Sequence, residues 1–291
     1  MRTFTLAGVA LTLLLPVTAC AQRSEPRPST ARAGVSVLDT AFAMPQLKRT
    51  RRVWVYLPPD YATSERRYPV LYMHDGQNLF DAATSYAGEW GIDETLDSLH
   101  AAGDPGVIVV GIDNGGERRL DEYSPWRNER HGGGEGAAYV EWLVHTLKPA
   151  IDQRYRTLPD RPNTAIAGSS MGGLISLYAL LEFPDVYGRA GVFSPAFWFA
   201  PQLFDAAGAR RPAYPDTRIY MVSGGKELQE GERAGVYHAD QVRMLDALVA
   251  AGYRAGEQVT AVVIPDGEHS EWFWRREFVP AYQWLFALAT Q

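Results

Sequence analysis

One short pattern combines a candidate nucleophile with the small residues that such a nucleophile needs. Residues 168–172 read GSSMG, follow an apolar run that ends at Ala167, and open a helical pattern. In a Gly-x-Ser-x-Gly turn between a strand and a helix, the glycines allow a tight turn that exposes the central hydroxyl at the helix N-terminus. The pattern predicts Ser170, and not its neighbour Ser169, as a nucleophile. The alternative is a structural turn that needs its glycines only for the backbone.

A serine hydroxyl needs a neutral histidine beside it to take its proton. The chain has six histidines, and His269 lies after the last predicted strand and before the last predicted helix. When nucleophile, acid and base follow one another along the chain, the histidine occupies that loop. We therefore predict His269 as the base, with His74, at the end of an earlier strand, as the alternative.

The acid of such a triad should follow the strand between nucleophile and base. Residues 218–222 form that predicted strand, and Glu227 follows it after a Gly-Gly-Lys turn. Its carboxylate would accept a hydrogen bond from Nδ1–H of His269 and stabilise the imidazolium. Three other carboxylates in the same region compete for this role, namely Glu230, Glu232 and Asp240.

An oxyanion formed by attack on a carbonyl needs two backbone N–H donors. The residue after the nucleophile, Met171, should provide one of them. The second should come from the loop after the apolar run 69–73, where Gly76 permits a turn and Gln77 is our candidate donor.

Short apolar runs and helical patterns alternate along the chain, which predicts the elements that position these residues. The apolar runs are 35–43, 51–57, 69–73, 107–112, 163–167, 190–193, 218–222 and 258–264, and the helical patterns are 92–101, 137–155, 171–183, 236–251 and 277–288. Runs without polar alternation favour strands buried on both faces. The alternation predicts one α/β domain over residues 34–291, with a mostly parallel sheet and helices on both faces.

The N-terminus has the layout of a secretory signal. Arg2 precedes an apolar run from Phe4 to Leu15 that is too short to span a bilayer. We predict a signal peptide over residues 1–21 and, for 22–33, a flexible tether rich in Pro, Ser and Arg. Residues 17–20 resemble a bacterial lipobox, which would end the signal at residue 19 and lipidate Cys20. The protein would then be exported to the bacterial periplasm or cell envelope with a membrane anchor, or otherwise secreted.

Composition excludes several other classes of protein. The 291 residues carry a formal net charge of −6, which counts against a nucleic-acid-binding protein. The chain has one cysteine, so it forms no intramolecular disulfide. It contains neither an H-E-x-x-H metal motif nor a P-loop, and we expect no metal and no cofactor.

Longer strings around these residues resemble the putative-esterase family, the branch of α/β-hydrolases with esterase D and enterochelin-esterase-like proteins. The strings are LYMHDGQNLF at 71–80, EYSPW at 122–126, AIAGSSMGGL at 165–174 and FSPAFW at 193–198. The resemblance runs from about residue 35 to residue 288. It implies an α/β-hydrolase fold and a serine carboxylic-ester hydrolase without metal or cofactor, in which Ser170, His269 and Glu227 work through an acyl-enzyme.

Members of this family act on siderophore esters, on feruloyl or acetyl groups of sugars, on S-formylglutathione, or transfer acyl groups between sugars. The resemblance therefore implies a small-molecule or glycan ester as substrate, and export disfavours S-formylglutathione. Two alternatives remain open, an acyltransferase that uses the same triad and a non-catalytic surface-binding lipoprotein.

Several aromatic residues fall in predicted loops beside the triad. We predict that Trp126, Trp198 and Trp272 bind the substrate in an aromatic-lined cleft suited to an aromatic ester, although such residues also cap ordinary cores. Nearby arginines, Arg118, Arg119 and Arg127, would either meet an anionic substrate or face water.

Overall fold

An eight-stranded sheet forms the centre of the protein in a computed structural model, which describes residues 27–227 and 235–286. Its strands are β1 (Val35–Met44), β2 (Arg49–Tyr56), β3 (Val70–His74), β4 (Ile108–Ile112), β7 (Thr164–Ser169), β8 (Arg189–Phe193), β9 (Arg218–Gly224) and β10 (Val259–Ile264). Two short strands, β5 (Arg127–Asn128) and β6 (Gly132–Gly133), pair separately. The spatial order is β1-β2-β4-β3-β7-β8-β9-β10.

The sheet is parallel except at one edge. Strand β2 pairs antiparallel with β1 and with β4, and every pair from β4 through β10 is parallel. Strands β3, β4 and β7 are buried along their whole length, which explains why their sequences are continuously apolar. The predicted mostly parallel sheet is confirmed.

Helices cover both faces of this sheet. They are α1 (Ile92–Ala101), α2 (Arg119–Glu122), α3 (Gly136–Trp142), α4 (Lys148–Arg154), α5 (Met171–Glu182), α6 (Gln202–Ala209), α7 (Val236–Ala250) and α8 (Glu271–Phe286). Side chains of β3 alternate between two cores: Val70 and Tyr72 join one with α3, α5, α6 and α7, and Leu71 and Met73 join another with α1 and α8.

Two predicted helices differ from the observed ones. The pattern at 137–155 is divided into α3, a π-helical segment Leu143–Leu147 and α4. Pro149 lies in the first turn of α4, where it has no N–H to donate to the preceding turn. The last helix begins at Glu271 rather than at 277, because Phe273 and Trp274 already pack into the core beneath the sheet.

The chain just before β1 lies against the domain. Ser29 donates to Asp81 at 2.8 Å, and the backbone N–H of Arg32 donates to Asp93 at 2.8 Å. Residues 27–33 of the predicted tether are thus hydrogen-bonded to the domain, whereas the predicted signal peptide, Cys20 and residues 22–26 lie outside the described residues. Within the part of the chain that the structure describes, no helix is long and apolar enough to cross a membrane.

Candidate active site

Ser170 occupies a strained turn between β7 and α5. Its φ of 57° and ψ of −120° are unusual for a residue with a side chain, and its N–H donates to the carbonyl of Phe193 at 2.9 Å. The flanking glycines have steric reasons. A Cβ at Gly168 would lie 2.9 Å from the backbone of Gly172, and a Cβ at Gly172 would lie 3.2 Å from Cβ of His74. The structure thus places Ser170 on a sharp strand-to-helix turn.

His269 and Glu227 meet at the same edge of the sheet, although 42 positions separate them in the chain. Nδ1 of His269 lies 3.1 Å from Oε2 of Glu227, whose side chain is fully buried, while the imidazole is partly exposed. With the proton on Nδ1 shared with this carboxylate, Nε2 is the free basic nitrogen. His269 and Ser170 line one cavity.

The second oxygen of Glu227 is held by two donors. Oε1 accepts hydrogen bonds from the hydroxyl of Ser194 at 2.5 Å and from the backbone N–H of Gly224 at 2.6 Å. Of the competing carboxylates, Asp240 lies on α7 and makes no contact of this kind, and Glu230 and Glu232 lie outside the described residues.

Sequence reasoning missed Ser194, which follows β8 and has a positive φ of 42°. Its hydroxyl accepts a hydrogen bond from the indole N–H of Trp274 at 2.8 Å. The ring of Trp274 also meets the ring of His269 edge to face, with centroids 5.1 Å apart, and Tyr237 contacts that imidazole at 4.5 Å. Hydrogen bonds therefore link Glu227 through Ser194 to Trp274, and the ring of Trp274 packs on His269.

The predicted oxyanion donors lie on two helix starts. Met171 is the first residue of α5, and amides of a first helical turn have no acceptor within the helix. Gln77 belongs to a short 3₁₀ turn after β3 and lines the cavity with Ser170. A Cβ at Gly76 would lie 2.8 Å from the backbone of Gly111 and Ile112, so only glycine allows this turn to pack on β4.

His74, the alternative base, is buried away from the cavity. Its Nδ1 lies 3.0 Å from the hydroxyl of Tyr139, and burial lowers its pKa to about 3. It does not line the cavity that contains Ser170, so its position is that of a neutral core histidine.

The cavity beside Ser170 has a volume of about 400 Å³, and six charged or amide residues contribute to its wall. The charged and amide side chains on that wall are Asp75, Gln77, Asn78, Asn114, Arg119 and Glu271. Sequence reasoning did not assign Asp75, Asn78, Asn114 or Glu271 to the site, and it left Arg119 undecided.

Asp75 and Arg119 form a bidentate ion pair on this wall. Nε and Nη2 of Arg119 lie 2.7 and 2.9 Å from the two oxygens of Asp75, and Asn114 donates to the same carboxylate at 2.7 Å. Burial alone would raise the pKa of Asp75, but the charge and hydrogen bonds of Arg119 outweigh it and hold the pKa below its usual value.

Glu271, at the start of α8, faces the cavity from another side. It is 8% exposed, and Nδ2 of Asn78 lies 3.4 Å from its Oε1. Burial raises the pKa of this carboxyl. The pattern Gly-Glu-His-Ser-Glu around His269 was the available signal, but a carboxylate two positions from a catalytic base is usually a solvated loop residue.

The three tryptophans predicted to bind substrate are not among the residues that line this cavity. Trp126 packs edge-on against Tyr178, Trp198 contacts the ring of His131, and Trp272 is half-exposed. The aromatic residues on the cavity wall are Tyr86 and Trp274. Residues 272 and 274 belong to a helix rather than a loop, and side chains two positions apart on a helix point in different directions.

One group of carboxylates among the described residues is close enough together to hold a cation. It consists of Glu89, Asp93 and Glu94, under the segment at residues 27–33, and it is not part of the cavity wall. Burial raises the pKa of Asp93 to about 7.

Comparison with known proteins gives a consistent family. A family model described as "Putative esterase" matches residues 44–285. The uncharacterized protein YbbA of Bacillus subtilis is 28% identical over 249 residues, which cover 81% of this chain and 92% of YbbA. The iron(III) enterobactin esterase of Dickeya dadantii is 30% identical over 270 residues, which cover 87% of this chain and 55% of that enzyme.

Some relatives are much longer than this chain. It spans 29% of an endo-1,4-beta-xylanase/feruloyl esterase of Xylanibacter ruminicola, at 26% identity over 238 residues and 80% of this chain. Among solved structures, a ferulic acid esterase matches with a TM-score of 0.66 at 19% identity, covering 87% of this chain and 98% of that one. The enterobactin esterase FES of Shigella flexneri matches with a TM-score of 0.68 at 20% identity, over 89% and 61% of the two chains. These structures share the α/β-hydrolase fold.

Proposed function

Because the chain belongs to the putative esterase family and is a carboxylic ester hydrolase, we propose that Ser170, His269 and Glu227 form its catalytic triad. The observation that carries the proposal is the ion-pair geometry between His269 and a buried Glu227, beside a cavity that also contains a strained Ser170. Among the described residues that line this cavity with Ser170, His269 is the one histidine.

The proposed reaction proceeds through an acyl-enzyme. Oγ of Ser170 attacks the ester carbonyl while its proton moves to Nε2 of His269, and Glu227 stabilises the resulting imidazolium. The backbone N–H groups of Met171 and Gln77 would stabilise the oxyanion. Collapse of this intermediate breaks the ester bond, and His269 returns its proton to the leaving alcohol. Water then attacks the acyl-serine by the same steps and releases the acid.

For the substrate, we propose a small-molecule or glycan ester of the siderophore type, or an aromatic or acetyl ester of a sugar. Support comes from relatives named for enterobactin, for triacetylfusarinine C and for feruloyl esters. The cavity volume of about 400 Å³ falls in the range of small-molecule sites.

For the location, we propose export, with lipidation of Cys20 as the anchor. The proposal rests on the residue pattern of the N-terminus. Cells that express the full chain and are fed a labelled fatty acid should incorporate the label, and a Cys20→Ser variant should not. Equal labelling of both proteins, or none of either, would overturn the lipid anchor.

The experiment for the triad compares wild-type protein with Ser170→Ala on p-nitrophenyl acetate, methyl ferulate, an acetylated sugar and a catecholate trilactone. The exposed Ser98 on α1 provides a matched Ser→Ala control. We expect kcat to fall by roughly a thousandfold or more in Ser170→Ala only. Undiminished hydrolysis by that variant would refute the triad. Product formation only when an acceptor alcohol is added would indicate an acyltransferase.

A further inference from the structure

The proposed esterase has a catalytic cavity with one carboxylate that the reaction does not use. We propose that Glu271 makes this cavity select esters with a cationic group, such as a substituted ammonium, over esters with a carboxylate. The inference rests on the proposed function, since it concerns the substrate class that reaches Ser170.

Glu271 is buried yet has few partners. The residue is 8% exposed and lies on the cavity wall with Ser170 and His269. Over residues 27–227 and 235–286, its carboxylate accepts one side-chain hydrogen bond, at 3.4 Å from Asn78, and takes part in no ion pair. A buried carboxylate with such weak pairing has lost its hydration without full compensation, so it interacts favourably with a cation or a hydrogen-bond donor.

The arginine on the same wall already has a partner of its own. Arg119 forms an ion pair with Asp75 through two hydrogen bonds of 2.7 and 2.9 Å. This pair is electrically neutral as a unit. His269 must be uncharged to act as the base, so the carboxylate of Glu271 is the remaining charge among the residues that line the cavity. Such a cavity attracts a cation and repels an anion through a medium of reduced dielectric constant.

Helix α8 carries Glu271 in its first turn. A glutamate in the first turn of a helix is favoured by the helix dipole, and α8 begins at Glu271. That effect does not require burial, so it does not explain why this carboxylate is buried against a catalytic cavity. The backbone amides of this first turn favour the ionised carboxylate and oppose the upward shift of its pKa that burial causes.

The test uses three p-nitrophenyl esters of matched length. One ends in a trimethylammonium group, one in an uncharged tert-butyl group of the same shape, and one in a carboxylate. For the wild type we expect kcat/KM for the cationic ester to exceed that for the anionic ester by about tenfold or more. In Glu271→Gln this ratio should fall toward one, whereas the exposed Glu257→Gln control should keep the wild-type ratio.

A second measurement separates this inference from the proposed function. Amide analogues of the cationic and anionic esters are titrated by calorimetry into wild type, Glu271→Gln and Ser170→Ala, with circular dichroism to verify folding. The cationic amide should bind more tightly to wild type and to Ser170→Ala, and the difference should vanish in Glu271→Gln. Equal binding of both amides to the wild type would overturn the charge selection even when hydrolysis is intact. A charge preference without any hydrolysis would overturn the proposed function instead.

Discussion

Oγ of Ser194 lies 2.5 Å from Oε1 of Glu227, while the other oxygen of that carboxylate pairs with His269 at 3.1 Å. Each oxygen of Glu227 therefore has its own hydrogen-bond partners, since Oε1 also accepts from Gly224 N–H. Because the indole of Trp274 donates to the same serine hydroxyl, the donor direction of Ser194 toward Glu227 is fixed. The geometry makes Ser194 a positioning residue for the acid.

Replacing Ser194 by alanine should lower kcat by about tenfold with little change in KM, because the carboxylate of Glu227 would lose its alignment with His269. The loss should be no larger, because Oε1 of Glu227 would retain Gly224 N–H as a donor. Steady-state kinetics over a range of pH measures this. Ser176, a buried serine of α5 whose hydroxyl donates to the backbone carbonyl of Gly172, provides the matched alanine control. Equal losses in the two variants would mean that Ser194 acts only through stability.

Glu227→Gln should lower kcat by roughly a thousandfold or more, since an amide cannot stabilise the imidazolium and can hold the histidine in the wrong tautomer. Glu268→Gln is the matched control, because Glu268 is exposed and adjoins His269 in sequence. Single-turnover measurements of acylation distinguish the two variants. If Glu268→Gln were as impaired as Glu227→Gln, general charge near the histidine would be the cause rather than a triad.

Arg119→Met should destabilise the fold by about 3–5 kcal/mol, because it leaves the buried Asp75 carboxylate without its ion-pair partner. Adding Asp75→Asn should recover part of this loss, since asparagine tolerates the left-handed backbone at this position, where φ is 57°. Urea unfolding of both variants and of Asp75→Asn alone measures the coupling. Simple additivity of the two single changes would contradict a strong pair.

Protein stability should decrease below about pH 6.5 partly because of His74. Its pKa in the folded protein is lowered to about 3 by burial, so the unfolded chain binds more protons between that value and the ordinary pKa. The folded state therefore loses stability as the pH falls through this window, by about 2 kcal/mol between pH 6.5 and pH 5.

The check is a pair of urea titrations at pH 7 and pH 5 for wild type and His74→Asn. Asparagine keeps a polar atom near the hydroxyl of Tyr139 but does not titrate. The variant should show a smaller loss between the two pH values, whatever its stability at pH 7. An identical pH dependence in both proteins would show that the pKa of His74 is the same in the folded and unfolded states.

The sequence alone predicted the features that depend on local order. The sheet followed from continuously apolar runs, and the loops that carry Ser170, Glu227 and His269 followed from the order of strands and helices. The structure places those loops at one edge because parallel strands end on the same side.

The charged and amide residues of the cavity wall could not be predicted, because they are far apart in sequence and meet only in the folded protein. Asn78 and Glu271 are 193 positions apart, and Arg119 reaches Asp75 from a short helix with no strong sequence signal. The phase of α8 places Trp274, and not the predicted Trp272, on the cavity wall, and the start of that helix depends on core contacts of Phe273.

Helix α8, the last helix of the described residues, packs against a much earlier part of the chain, where Tyr282 donates to Asp104 across 178 positions. The nucleophile turn at Ser170 is complete in sequence long before His269, Glu271 and Trp274 exist. A chain that ends before His269 therefore lacks the base of the proposed triad. Recovery of hydrolysis during refolding should therefore follow the packing of α8 onto the domain. Contacts between residues so far apart in sequence make this packing slow.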